Sequence, residues 1–191
     1  QPKKALELRD QGQKRPEILE QTGQTLGLSN IDFDVYEGEL LVIMGLSGSG
    51  KSTLIRCLNR LIDTTEGEII IDGENIPTLS TKELLECRRR HFSMVFQNFA
   101  LFPHRTVQQN AEYGLEIRGV DKAERTETAR NALKQVGLDG WEDALPSQLS
   151  GGMQQRVGLA RALANDSSVL LMDEAFSALD PLIRKDMQQE L

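Results

Sequence analysis

Gly45-Leu46-Ser47-Gly48-Ser49-Gly50-Lys51-Ser52-Thr53 follows the apolar run Leu40-Leu41-Val42-Ile43-Met44 and precedes the helix-like Leu54-Ile55-Arg56-Cys57-Leu58. The nonapeptide fits G-x-x-x-x-G-K-[ST], the pattern of a phosphate-binding loop between a strand and a helix. Its glycines let the backbone curl so that successive N–H groups point at one anion, and a helix N-terminus adds its positive dipole end. In such a loop Lys51 reaches the outer phosphates and the Ser52 hydroxyl helps hold Mg²⁺. A Gly/Ser-rich surface turn would give a similar composition, but not with an apolar strand before it and a helix after it. The stretch predicts nucleoside triphosphate binding.

Composition is compatible with that reading. The sequence has 191 residues, 39% hydrophobic and 27% charged, enough for one well-buried domain. A net charge of −7 argues against a nucleic-acid surface, and the one basic block, Arg88-Arg89-Arg90, falls in an expected helix where a solvated face suffices. Cys57 and Cys87 lack metal-ligand spacing and read as buried free thiols of a reducing compartment. No apolar run approaches the ~20 residues of a membrane span, so work at a membrane would need another subunit to cross it.

Outward from the loop, the pattern alternates strands and helices. Residues 2–20, broken at Gly12 and Pro16, predict two short surface helices. Ile31-Asp32-Phe33-Asp34-Val35-Tyr36 alternates as a half-buried strand should, and Glu37-Gly38 turns it into the apolar strand 40–44. Residues 68–72 predict a strand closed at Asp72-Gly73, residues 81–90 a helix, and Ser93-Met94-Val95-Phe96 a buried strand. Thr106 is expected to cap a helix through Leu115, Asp121 with Glu124 to open one ended by Gly137, and Ser150 to cap one running to about Ala164. Val169-Leu170-Leu171-Met172 reads as a buried parallel strand ending in Asp173-Glu174, and Pro181 as the first turn of a closing helix.

Asp173 and Glu174 at a strand tip complement the phosphate loop. Magnesium prefers one or two carboxylates plus phosphate oxygens, which assigns Asp173 to the metal and leaves Glu174 to polarise an attacking water. Leu149-Ser150-Gly151-Gly152-Met153-Gln154-Gln155-Arg156 is a second anion site, a hydroxyl and two glycine N–H groups at a helix start.

These residues resemble the signature of ABC-type ATPases, in which the signature of one subunit closes on nucleotide held by the loop of the other. Gln97 resembles the family's Q-loop glutamine and Ser177-Ala178-Leu179-Asp180 its D-loop. The flanking runs Val42-Ile43-Met44-Gly45-Leu46-Ser47, Phe99-Ala100-Leu101-Phe102-Pro103-His104 and Met172-Asp173-Glu174-Ala175-Phe176-Ser177 are similar to the ATPase subunits of glycine betaine/proline betaine importers, as is the helical segment 2–20.

The resemblance implies an α/β fold: a P-loop core with a mainly parallel sheet, a small antiparallel portion and a helical subdomain. Residues 1–191 are expected to form one such domain, with a helical segment at 1–20, core and β portion at 21–97, helical subdomain at 98–149 and signature, strand and D-loop at 150–191. It implies ATP and Mg²⁺ as ligands. Nucleotide contacts fall on Gly45, Ser47, Gly48, Ser49, Gly50, Lys51, Ser52, Thr53, Gln97, Ser150, Gly151, Gly152, Gln154 and Asp180. Metal contacts fall on Ser52, Gln97 and Asp173, and catalysis on Glu174, Lys51 and Gln97. Expected partners are a second copy in a head-to-tail dimer, a transmembrane permease docked through residues 98–107 and, indirectly, an extracytoplasmic solute-binding protein; no nucleic acid is expected. The expected location is the cytoplasmic face of the cell membrane. The family's adenine-stacking aromatic and its histidine beyond the D-loop have no counterpart in the sequence, which is therefore expected to be a fragment. His91 and His104 read as a helix-end and a loop histidine.

Two other classes fit less well. A soluble ABC ATPase acting on DNA or ribosomes would want a basic face, and a GTPase switch would need Asn-Lys-x-Asp and Asp-x-x-Gly strings that do not occur.

Overall fold

The computed structural model describes residues 2–96 and 99–173. The chain divides into two compact units, 1–77 and 78–191.

The first unit opens with α1 (Pro2–Asp10) and α2 (Arg15–Thr22), the expected helix pair. Pro16 does not interrupt a helix but occupies the first turn of α2, where its missing N–H costs nothing. Gly23, at φ 69°, closes α2 by donating to Leu19 O at 2.7 Å. Ile18 and Leu8 are buried. After the phosphate loop comes α3 (Lys51–Leu58), with Cys57 on its buried side. Then β1 (Ile70–Ile71) and β2 (Glu74–Asn75) pair antiparallel around Asp72-Gly73. Both turn residues have positive φ, 47° and 82°, the arrangement that matches the twist of a two-residue hairpin and that Asp-Gly favours.

The expected strands at 31–36 and 40–44 are not formed. Residues 31–42 are exposed throughout, Leu40 at 80% and Met44 at 86%, and neither segment enters a ladder among the described residues. Alternation and apolarity make a segment fit for a sheet, but a strand exists only by hydrogen bonding to a neighbour.

In the second unit, α4 (Thr81–His91) is capped by Ser80, whose hydroxyl accepts from Glu83 N–H while Glu83 accepts from Ser80 N–H at 2.8 Å. It runs directly into β3 (Phe92–Val95), which pairs in parallel with β4 (Val169–Met172), Phe92 opposite Val169 and Val95 opposite Met172. Between them lie α5 (Val107–Ala111), α6 (Tyr113–Ile117), α7 (Lys122–Gln135) and α8 (Gly151–Ala164). The helix expected from Thr106 through Leu115 is divided at Glu112. Asp121 caps α7 through Ala123 N–H at 2.9 Å, so Glu124 completes no capping box. Gly137, at φ 68°, ends the turn after α7 as expected, with Leu138 N–H reaching back to Leu133 O at 2.9 Å. The core of this unit joins α5, α7, α8 and β3 through Val107, Leu133, Leu138, Val157 and Val95, all essentially inaccessible. No helix among the described residues is long and apolar enough to cross a membrane.

Candidate functional site

In the first unit the phosphate loop has the geometry its glycines suggest. A Cβ on Gly45 would stand 2.7 Å from Ser49 Oγ, and one on Gly50 would stand 3.0 Å from Leu28 Cδ2 and 3.3 Å from Gly27 O. Gly48 and Gly50 also have positive φ, 75° and 103°, conformations that side chains resist. Gly50 is the N-cap of α3 with no side-chain cap, and Leu54 N–H is the first to bond back, to Gly50 O at 2.8 Å. The N–H groups of Lys51, Ser52 and Thr53 therefore open the helix without an intrahelical partner, the arrangement that receives phosphate oxygens. Lys51 Nζ donates to Gly45 O at 2.9 Å and Leu46 O at 3.1 Å, holding the ammonium over the loop backbone. Ser47 and Ser49 are exposed, Ser52 and Thr53 half-buried. A tight, uncapped loop carrying one ammonium and a first-turn hydroxyl fits a polyphosphate with its magnesium.

In the second unit, Asp173 follows β4 directly and is buried. Its N–H donates to Val95 O at 3.0 Å, extending the β3–β4 ladder by one residue. The carboxylate thus stands at the carboxyl end of a parallel pair, the end at which open α/β sheets bind ligands. Ser150 caps α8 through Met153 N–H at 3.3 Å. Gly151 is exposed, its φ is not positive, and a Cβ there would meet nothing within 4 Å among the described residues. No described residue of its own chain calls for glycine at this position. The Gln154 amide donates to Pro146 O at 3.1 Å and Leu149 O at 3.3 Å, tying α8 to the preceding turn. Of the other expected site residues, Gln97, Glu174 and Asp180 lie outside the described residues, as do Ser177, Ala178 and Leu179 and the helix expected at Pro181.

The loop beyond β3 contains what sequence reading missed. Asn110, fully buried on α5, accepts from Phe102 N–H at 2.8 Å and donates to the carbonyls of Phe102, Arg105 and Thr106 at 3.0–3.1 Å. Phe102 is half-buried. Its ring lies 4.4 Å from that of Tyr113, and the Arg105 guanidinium stands 5.6 Å from Phe102 and 4.8 Å from Tyr113. Arg105 also pairs with Glu116, whose carboxyl it holds below the ordinary range. His104 is exposed and meets Phe102 edge-on. His91 is buried and shares a 3.0 Å hydrogen bond with Ser168 Oγ, so it is a packed helix-end residue as expected. The only advance signal for Asn110 is a polar residue on the apolar face of a short helix.

Comparison with known proteins places this geometry in a family. Residues 28–177 match the family model described as ABC transporter. The chain is 64% identical over its whole length to the glycine betaine transport ATP-binding protein OpuAA of Bacillus subtilis, covering 46% of that protein. It is 55% identical over its whole length to the glycine betaine/proline betaine transport system ATP-binding protein ProV of Escherichia coli, covering 48%. It thus spans about half the length of these relatives. Among solved structures, a dimeric ATP-binding cassette in a post-hydrolysis state with ADP and phosphate superposes with a TM-score of 0.81 at 39% identity, over 86% of this chain and 72% of that one. A match over most of the chain, with the loop geometry above and a cassette fold, means that the chain belongs to the ABC transporter family.

Proposed function

We propose that this chain is the nucleotide-binding part of a subunit that hydrolyses ATP to drive import of an osmoprotectant such as glycine betaine or proline betaine. The observation that carries the solute assignment is the 64% whole-chain identity to a glycine betaine transport ATP-binding protein. Import of an amino acid or another small solute is the alternative, since a methionine import ATP-binding protein of Staphylococcus haemolyticus is 51% identical over 82% of the chain.

In this reading the backbone from Gly45 to Thr53 binds the phosphates, and Lys51 orients the outermost by charge-assisted hydrogen bonds. Ser52, Gln97 and Asp173 hold Mg²⁺, which when bound offsets charge on the phosphate oxygens. Glu174 accepts a proton from the attacking water. Ser150, Gly151, Gly152 and Gln154, with Asp180, close on nucleotide held by a second copy. The space at Gly151, open among the described residues, supports that assignment, because the absent side chain leaves room for a group of a second copy. The γ-phosphate is then shared by both copies, so ATP favours the closed head-to-tail dimer and hydrolysis releases it. The dimeric state of the matching cassette structure supports this assembly.

The half-buried, ring-braced loop around Phe102 supports docking of residues 98–107 on a transmembrane permease at the cytoplasmic face of the membrane. An extracytoplasmic solute-binding protein would act through that permease, and no nucleic acid is involved.

The test reconstitutes the full-length subunit with its membrane partner and solute-binding protein in proteoliposomes containing ATP. ATP-dependent uptake of labelled glycine betaine, abolished by Lys51→Ala, is expected. Uptake of methionine but not of betaine would transfer the protein to the alternative class.

A further inference from the structure

The Asn110 carboxamide fills the inside of the loop 102–106, accepting one N–H and donating to three carbonyls. Arg105 N–H closes the same turn on Phe102 O at 3.2 Å, and Thr106 ends it as the N-cap of α5, accepting from Gln109 N–H at 3.2 Å. Outward, the turn carries the exposed Pro103 and His104. Its upstream end is held separately. Phe99 and Ala100 have left-handed backbone, φ 57° and 46°, which residues with side chains seldom adopt. Arg161, near the end of α8, donates from Nη2 to Phe99 O at 2.9 Å and from Nη1 to Ala100 O at 2.8 Å.

A helix leaves its first N–H groups without intrahelical partners. In α5 the first three all find one. The Thr106 cap serves Gln109, while Val107 N–H donates to Ala144 O at 2.9 Å and Gln108 N–H to Glu142 O at 3.0 Å. A segment more than thirty residues further on is thus bonded to the helix that carries Asn110. From Ala144 the chain reaches Ser150 through a turn anchored by the buried Pro146 and Leu149. Leu149 N–H donates to Pro146 O at 3.1 Å, and the Gln154 amide grips the carbonyls of both. Loop, α5 and the segment 142–149 are therefore bonded in series, and the last of them presents Ser150.

We propose that Asn110 is a positioning residue that couples the partner-docking loop to the signature at Ser150. A partner seated on the loop shifts α5 with it, and the shift reaches Ser150 through the N–H groups of Val107 and Gln108. The inference rests on the docking and nucleotide readings above. Without Asn110 the carbonyls of 102–106 lose their donor, and the loop can move without α5. Coupling through links in series is lost when either link is cut, and cutting the second adds nothing.

The test compares ATP turnover by the full-length subunit alone with turnover by the same subunit assembled with its membrane partner, well below the melting temperature of each variant. The ratio is the partner stimulation. Asn110→Ala is expected to lower it about fivefold or more and to leave turnover by the subunit alone within about twofold, whereas a purely structural defect lowers both together. Gln108→Pro removes the N–H that Glu142 O accepts, at the second helical position that Pro16 occupies in α2, and is expected to give the same loss. Gln108→Ala keeps that N–H and is expected to keep stimulation within about twofold of the parent. Both Gln108 variants lose the side-chain bond to Thr126 O, so their contrast isolates the backbone link. The double variant Asn110→Ala/Gln108→Pro is expected to match the worse single variant. Parental stimulation in Asn110→Ala, equal stimulation in the two Gln108 variants, or losses that multiply in the double variant overturns the coupling. If Asn110→Ala does not fold, the contrast between the Gln108 variants decides. Phe102→Asp in the same assay separates the two readings. Stimulation that survives it refutes docking and the coupling with it, whereas stimulation it abolishes leaves docking standing whichever way the Asn110 and Gln108 results fall.

Discussion

Lys51 holds two carbonyls of its own loop, Gly45 O at 2.9 Å and Leu46 O at 3.1 Å, so its ammonium is already localised where the backbone curls. A charge-assisted hydrogen bond of this kind contributes roughly 1.5–3 kcal/mol. Lys51→Ala in the full-length protein is therefore expected to weaken ATP binding by about one to two orders of magnitude, read by calorimetry. Unchanged affinity would remove Lys51 from the site. Asn110 carries a different kind of weight. It is fully buried and serves one N–H and three carbonyls of the loop 102–106. Asn110→Ala leaves several of those groups without partners, at a cost of about 3 kcal/mol. A melting temperature lower by roughly 6–12 °C is expected from scanning calorimetry. A shift within about 2 °C would mean that the loop is held by Arg105 and Arg161 without it.

Among the helices, α4, α5 and α8 each open on a hydroxyl that accepts from a first-turn N–H. At α4 the box is reciprocal, and Ser80 holds the exposed Glu83 carboxyl below its ordinary 4.5. The sign follows from that depression. A carboxylate whose folded pKa lies below its unfolded value contributes stability in full above the unfolded pKa and loses it as pH falls through the folded one. Ser80→Ala is expected to cost about 1 kcal/mol near neutral pH. The cost should shrink as the pH falls beneath the ordinary carboxylate range and through the depressed pKa at which the parent's Glu83 takes up its proton. Melting curves across that range check this, and a penalty independent of pH would mean that Glu83 takes no part in the cap.

For the whole molecule, the assignment of Glu174 as the base links chemistry to assembly. Glu174→Gln keeps the shape and much of the polarity of the side chain but cannot accept the proton. In the full-length protein, hydrolysis is expected to fall by about two orders of magnitude or more, while dimers accumulate with ATP and Mg²⁺. Single-turnover kinetics with size-exclusion chromatography would measure both effects. Parental turnover in this variant would move the base elsewhere.

Much of the molecule is fixed by local chemistry, and that part could be read from residues alone. The loop from Gly45 to Thr53, the caps at Thr106 and Ser150, the turn at Asp72-Gly73 and the strand that leads into Asp173 each follow from a few adjacent residues whose backbone preferences have one common solution. What could not be read depends on groups far apart in sequence. Alternation at 31–36 and the apolar run at 40–44 pointed to strands, but pairing needs a neighbour that no local pattern supplies. The grip of Arg161 on Phe99 and Ala100 spans more than sixty residues. It exists only because α8 packs in the same core as β3, and the left-handed backbone it imposes runs against the preference of the residues that adopt it.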